Sequence, residues 1–355
     1  MSFQLWLGLW VNLEHASLES GKGKRMENTT KSSKQPTVFG ANMVYLIVLM
    51  LMMSAQVLLV RWLPKTTDGP DYYWKLFLME LLLIGGPPLL YMLFYRMDIA
   101  RISRFNGIKP AEVLLILGMA NFGYGVTIIS KLIGYWVVSR WGTPIGQQLP
   151  TIENGTQLLL AVLAIGVVPA VVEEFLFRGL ILRGYERFGS KIAIVMTGIL
   201  FGMLHLQLMS IPSIILIGII ISYVVYRTNS IIAGMIYHFI HNSIAVGLLY
   251  IQNVILTSQD AIEGIPQDIS QLPTDALVTA IIVWGIIGFI CLILFTVCLI
   301  AFHIYTRNKG KVRDVAPEER EQSRFLAMLP AIIATIIVII NLVFEVLHMT
   351  GAIGI

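Results

Sequence analysis

Nine apolar stretches decide what this chain can fold into, because each comes close to the roughly 20 residues that a membrane span requires. They lie near 39–60, 73–95, 111–138, 157–182, 191–208, 212–226, 231–251, 276–305 and 326–349. Backbone groups inside a bilayer must bond within their own segment or to a closed sheet, so apolar segments of this length read as helices. The expected fold is an all-α polytopic membrane protein with eight to nine transmembrane helices. The sixth stretch is short and reads as a tilted or partial span. GGPP at 85–88 reads as a kink or break in the second.

Composition agrees. Charged residues make up 13% of the 355 and hydrophobic ones 56%, whereas a soluble domain carries about 25% charged residues. No Gly-rich phosphate loop, Cys-pair zinc site or nucleic-acid module stands out, so no nucleic-acid partner is expected. Cys291 and Cys298 lie seven apart in one apolar run. Their Cα atoms would be about 10 Å apart on a helix, too far for a disulfide, so they read as packing or lipid-facing residues.

Residues 1–37 read as a cytoplasmic tail. The run FQLWLGLWVNL lacks the basic region before it and the small-residue cleavage site after it that a signal peptide has. GKGKRM at 21–26 fits two readings. Purine-rich codons of a ribosome-binding site would translate so, making 1–25 a leader before Met26; a natural tail is the other. ARISRFNGIKP at 100–110 reads as a basic interfacial turn. Of the 25 Lys and Arg, 19 fall in the tail and in alternate loops near 96–109, 183–191, 227 and 307–324. The opposite loops hold four, Arg61, Lys65, Lys75 and Arg140, and the long loop 252–275 is acidic. Basic loops stay inside, which puts the N-terminus in the cytoplasm and the C-terminus outside a cell membrane. The chain then divides into the tail, membrane helices at 38–156, a central unit at 157–251, and a loop with two further helices at 252–355.

Within that central unit, VVPAVVEEFLFRGLILR at 167–183 puts Glu173, Glu174 and Arg178 in an apolar helix. Ionisable residues in a span are costly and mark functional sites by default. Glu174 and Arg178 stand at i, i+4 in the favourable order for a pair on one face. Neighbouring side chains diverge by about 100°, so the two glutamates are not expected to face one cavity, and Glu173 needs a partner elsewhere. FGMLHL at 201–206 offers His205. YHFIHNS at 237–243 offers His238 and Asn242, at i, i+4 and so on one face. At the helical rise, Glu173, His238 and His205 lie at depths of about 15, 10 and 20 Å from the cytoplasmic helix ends, an imperfect match.

The order EExxxR, FxxxH, HxxxN, each on its own apolar helix between Leu158 and Leu249, resembles the CPBP family of intramembrane proteases (CAAX proteases and bacteriocin-processing enzymes, also called Abi). The resemblance covers under a third of the chain. It implies a conical or bundle-like intramembrane catalytic core that hydrolyses peptide bonds of membrane-anchored proteins or hydrophobic peptides. Glu173, helped by His205, would deprotonate water. His238 and Asn242 would donate to the oxyanion, where such donors contribute most. Glu174 and Arg178 would fix the helix behind the site. This route requires no cofactor. Zinc or another divalent metal on Glu173, His205 and His238 is the alternative, since three N/O ligands and a water form a catalytic zinc set. In a bacterium, pheromone maturation, bacteriocin self-immunity or cleavage of a membrane regulator would replace prenylated substrates.

Two non-proteolytic readings stand beside this one. A membrane scaffold or bacteriocin-immunity protein could keep the protease fold, although every motif residue is present. A transporter would show inverted repeats and paired broken helices, of which only GGPP is a candidate. His241, three residues after His238, reads as a supporting or solvent-facing residue. Phe201 reads as packing. Glu80, Lys131 and Glu345 read as interhelical pairs or snorkelling charges.

Overall fold

The computed structural model describes residues 34–58, 69–142, 150–258, 274–309 and 324–352. The leader or tail before residue 34 and most of the loops 252–275 and 307–324 lie outside them. Among the described residues nine principal helices occur and no strand: α1 Val38–Leu58, α2 Pro70–Phe94, α3 Pro110–Val138, α4 Gly155–Phe188, α5 Ser190–Leu204, α6 Ile211–Thr228, α7 Ile231–Ser258, α8 Thr274–Thr306 and α9 Arg324–Met349. All but α5 are long and apolar enough to cross a membrane. Large apolar side chains such as Leu90, Phe94, Leu114 and Phe325 cover the outside, as a lipid-facing surface requires. The protein is an all-α multi-pass membrane protein.

The short helix is the fifth, not the sixth. α6 runs 18 residues, whereas α5 stops after 15. His205 is the first residue past its end, and Leu206 turns the chain with a left-handed φ of 54°. α7 in turn runs on to Ser258, beyond the expected 251.

Proline reshapes two helices without ending them. α2 continues through GGPP, with a π-helical turn at Glu80–Gly85 ahead of the prolines. Pro87 and Pro88 lack the N–H groups that would bond residues 83 and 84, and the wider turn absorbs the loss. α4 has a similar turn at Val162–Val167 ahead of Pro169, and a second at Phe175–Ile181.

Small residues set the helix crossings. A Cβ on Gly198 would lie 2.7 Å from the Ile219 nitrogen, and one on Gly202 2.9 Å from that of Ile215. The Gly198-xxx-Gly202 pair thus lets α5 lie backbone to backbone on α6, the close approach that small-xxx-small spacing provides. Between α3 and α8, Gly118 meets Cys298 and Gly125 meets Cys291. The two cysteines are free; their spacing of seven matches that of the glycines on the antiparallel neighbour.

The loops expected on one face do meet at one end of the bundle. The Ile231 N–H donates to the Arg104 carbonyl at 3.0 Å. Arg104 pairs with Glu186, which Arg183 also contacts at 2.7 Å. Lys309 contacts Glu112 at 2.6 Å. Arg104 is therefore buried rather than interfacial, because an acid from the next loop neutralises it.

Candidate active site

Glu173, Glu174 and Arg178 lie in the middle of α4, all buried. Arg178 Nη1 donates to Glu174 Oε1 at 2.6 Å, and Nη2 donates to the Gly218 carbonyl of α6 at 2.9 Å. The guanidinium also stands 4.7 Å from the Phe201 ring centroid, within cation–π range. The expected i, i+4 pair is present, and its charge is fully enclosed.

The same Glu174 oxygen reaches α7. His238 Nδ1 lies 3.1 Å from Glu174 Oε1, and His238 Nε2 lies 3.8 Å from Glu173 Oε2. Both glutamates therefore address one histidine, contrary to the divergence expected from helical geometry. An imidazole presents a nitrogen on each of two edges, and it spans the angle between the two long side chains. An ionised carboxylate can only accept, so Nδ1 carries the hydrogen in this contact. His238 Nε2 then donates only when the ring holds both protons.

Gly234, one turn before His238, makes room for this arrangement. A Cβ there would come within 2.6 Å of both Glu174 Oε2 and Val225 Cγ2. One turn after His238, Asn242 Nδ2 donates to the Ile165 carbonyl of α4 at 2.9 Å. One face of α7 thus carries a glycine, a histidine and an asparagine, each fitted to α4.

His205 Nδ1 lies 2.9 Å from the Phe201 carbonyl. A carbonyl can only accept, so Nδ1 holds the hydrogen and Nε2 keeps a lone pair. The Phe201 centroid is 5.1 Å from His205 and 5.7 Å from His238. The two histidines flank one aromatic ring, which closes the difference in depth expected from the helix ends. Phe201 packs, as expected, and also spaces the histidines and covers Arg178.

Two residues gain a place that their sequence context did not give them. Glu80 begins the π-helical turn of α2, and Gly85 at the end of that turn packs on Val172, beside Glu173. Glu80 lies close enough to Glu173 for the two charges to interact, as Glu174 and Arg178 also do. One buried oxygen on each of Glu80 and Glu173 has no hydrogen-bond partner. An acid next to a helix irregularity in an apolar span was the available signal. Glu345 of α9 accepts from the Leu208 N–H at 3.1 Å, three residues past His205. His241 is buried rather than solvent-facing, against the rings of Tyr124 and Tyr237. Lys131 lies within Coulombic range of His205 and His241.

Among the described residues no three His, Cys, Asp or Glu side chains are grouped so as to hold a metal ion. The trio Glu173, His205 and His238 is not such a group as it stands, and Glu174 takes one nitrogen of His238.

Residues 155–244 match the model of a family described as Type II CAAX prenyl endopeptidase Rce1-like. The span covers α4 to the middle of α7 and includes every motif residue. No curated protein and no solved structure matches the chain.

Proposed function

We propose that this chain, whose residues 155–244 match the Rce1-like family of type II CAAX prenyl endopeptidases, is an intramembrane endopeptidase that uses Glu173 as its base. The observation that carries the reading is the setting of Glu173. It is a buried carboxylate with a free oxygen 3.8 Å from His238 Nε2; Glu174 also keeps one oxygen unbonded, but its Oε1 is held by both Arg178 and His238.

Water bound at Glu173 gives it a proton and attacks the scissile carbonyl carbon. His205 accepts a second hydrogen bond from that water through Nε2. His238, doubly protonated, donates from Nε2 to the oxyanion, and Asn242 donates through the amide hydrogen that Ile165 does not use. When the C–N bond breaks, Glu173 passes its proton to the leaving amine. The substrates are membrane-anchored proteins or hydrophobic peptides, since α4 and α7 hold Glu173, His238 and Asn242 within apolar spans and His205 follows directly on the apolar α5. No step runs through a metal.

Purified protein should cleave a membrane-tethered or hydrophobic peptide, and Glu173→Gln should abolish this with the fold intact. Gln keeps shape and hydrogen bonding but is no base, and loss of a base costs about 10²–10⁴-fold. His205→Ala should also impair turnover severely. Turnover that survives chelation in metal-free protein supports the glutamate route over the zinc alternative. Near-native turnover by Glu173→Gln would sink the reading and favour a non-enzymatic scaffold.

A further inference from the structure

His205 stands outside any helix. α5 ends at Leu204 and α6 begins at Ile211, so its position depends on the turn 205–210. Several donors in and next to the turn are served locally. The N–H groups of His205 and Leu206 bond Gly202 and Met203, and those of Ser210 and Ile211 bond Gln207. The Leu208 N–H instead donates to Glu345 Oε2 at 3.1 Å.

This bond comes from the other end of the sequence. Glu345 lies in the last third of α9, 101 residues beyond the end of the family match at 244. A carboxylate in an apolar span is costly unless something compensates it, and a charge-assisted bond to a backbone N–H does so. α3 also approaches the turn, with a glycine at the contact. A Cβ on Gly134 would lie 3.1 Å from the Met209 carbonyl oxygen. The His205 turn is thus held by both α3 and α9, closely packed on the first and hydrogen-bonded to the second.

We propose that Glu345 is a positioning residue for His205, so that α9, which lies outside the matched family domain, completes the site by fixing the turn that carries this histidine. The inference rests on the proteolytic reading above. A shift of the turn would move His205 Nε2 away from the water it holds. Misplacement by about 1 Å can cost roughly 100-fold in rate.

The test uses the full chain with a membrane-tethered peptide. Glu345→Leu, which removes the acceptor, should lower kcat about 10–100-fold and leave KM unchanged. Glu345→Gln should keep most of the activity, because its amide oxygen still accepts. The decisive variant is His205→Ala combined with Glu345→Leu. It should be no slower than His205→Ala alone, since residues acting as a unit are non-additive. Should Glu345→Leu not fold, Glu345→Met serves the same comparison. Wild-type kcat in the folded Leu or Met variant overturns the proposal, as does a multiplicative loss in the double variant. A wild-type chain that cleaves no peptide overturns the protease reading and this inference together. Wild-type turnover with an indifferent Glu345 overturns the inference alone.

Discussion

The amide of Asn242 donates to the carbonyl of Ile165, the one that residue 169 would serve in a regular helix if it were not a proline. A break in α4 is mended by a side chain from α7. Proline in a span is tolerated where a neighbouring helix satisfies the released backbone group, and here that neighbour also carries His238. The proline thus helps fix which face of α7 looks at the two glutamates.

Asn242→Ala should therefore cost stability as well as turnover. An orphaned buried acceptor costs about 1–3 kcal/mol, readable as a lower Tm in detergent. In a Pro169→Ala background the helix regains its own N–H, and Asn242→Ala should cost less. The coupling between the two sites is the measured quantity. Should Asn242 also donate to the oxyanion, turnover falls in both backgrounds. Equal Tm losses in the two backgrounds would contradict the mending role.

The ion pair behind His238 makes an asymmetric prediction. Arg178→Met takes from Glu174 its fully buried cation, leaving only His238 on that oxygen, and should cost about 3–5 kcal/mol. Glu174→Gln with Arg178→Met removes both charges and should recover part of that loss. Turnover should not recover with it, since a neutral amide holds the His238 N–H less firmly. A double variant less stable than Arg178→Met alone would show that the pair is not the main term.

Much of this site was legible because charges in apolar helices are rare and have to be explained. Glu173, Glu174, Arg178, His205 and His238 all stood out on that ground, and the structure brings them together. Glu80 and Glu345 met the same criterion and were read as ordinary pairs. Glu80 faces the carboxylate of Glu173, a like group that no pairing rule would select, and Glu345 binds a backbone N–H that no sequence pattern announces. Glycines were harder still. Gly198 and Gly202 sit in a small-xxx-small pattern, but the use of Gly234 depends on a carboxylate 60 residues earlier. The end of α5 was misplaced because the residues after His205 are apolar, and an apolar run does not show where a left-handed residue will stop a helix.

The meeting of basic loops at one end of the bundle bears on topology. Reporters fused within 252–275 should read outside, and reporters within 307–324 should read cytoplasmic. The charge asymmetry sets the sign, and the Lys309–Glu112 contact joins the start of the second of these loops to the start of α3. A cytoplasmic reading for 252–275 would contradict the nine-span order, because α5 and α6 together would then have to make one crossing in place of two.

Gly234 gives the most local test of how the helices hold the proposed catalytic groups. Its replacement by Ala adds one carbon at a point 2.6 Å from Glu174 Oε2 and from Val225 Cγ2, and 3.2 Å from Ile221 Cγ2. A single flexible neighbour could yield, but Glu174 is not free to do so, because its other oxygen binds Arg178 and His238. α7 must then move away from α4 and α6, or the carboxylate must rotate and release one of those contacts. Overpacking of this kind typically costs about 1–3 kcal/mol. The loss of turnover should exceed what that loss of folded protein explains, because His238 moves with its anchor. Turnover per folded molecule, with the folded fraction measured by gel filtration, separates the two effects. Gly247, on the same helix but with open space around its Cα, is the control: Gly247→Ala should leave turnover per folded molecule unchanged. Equal activity in the two alanine variants would mean that the close approach at Gly234 does not position His238.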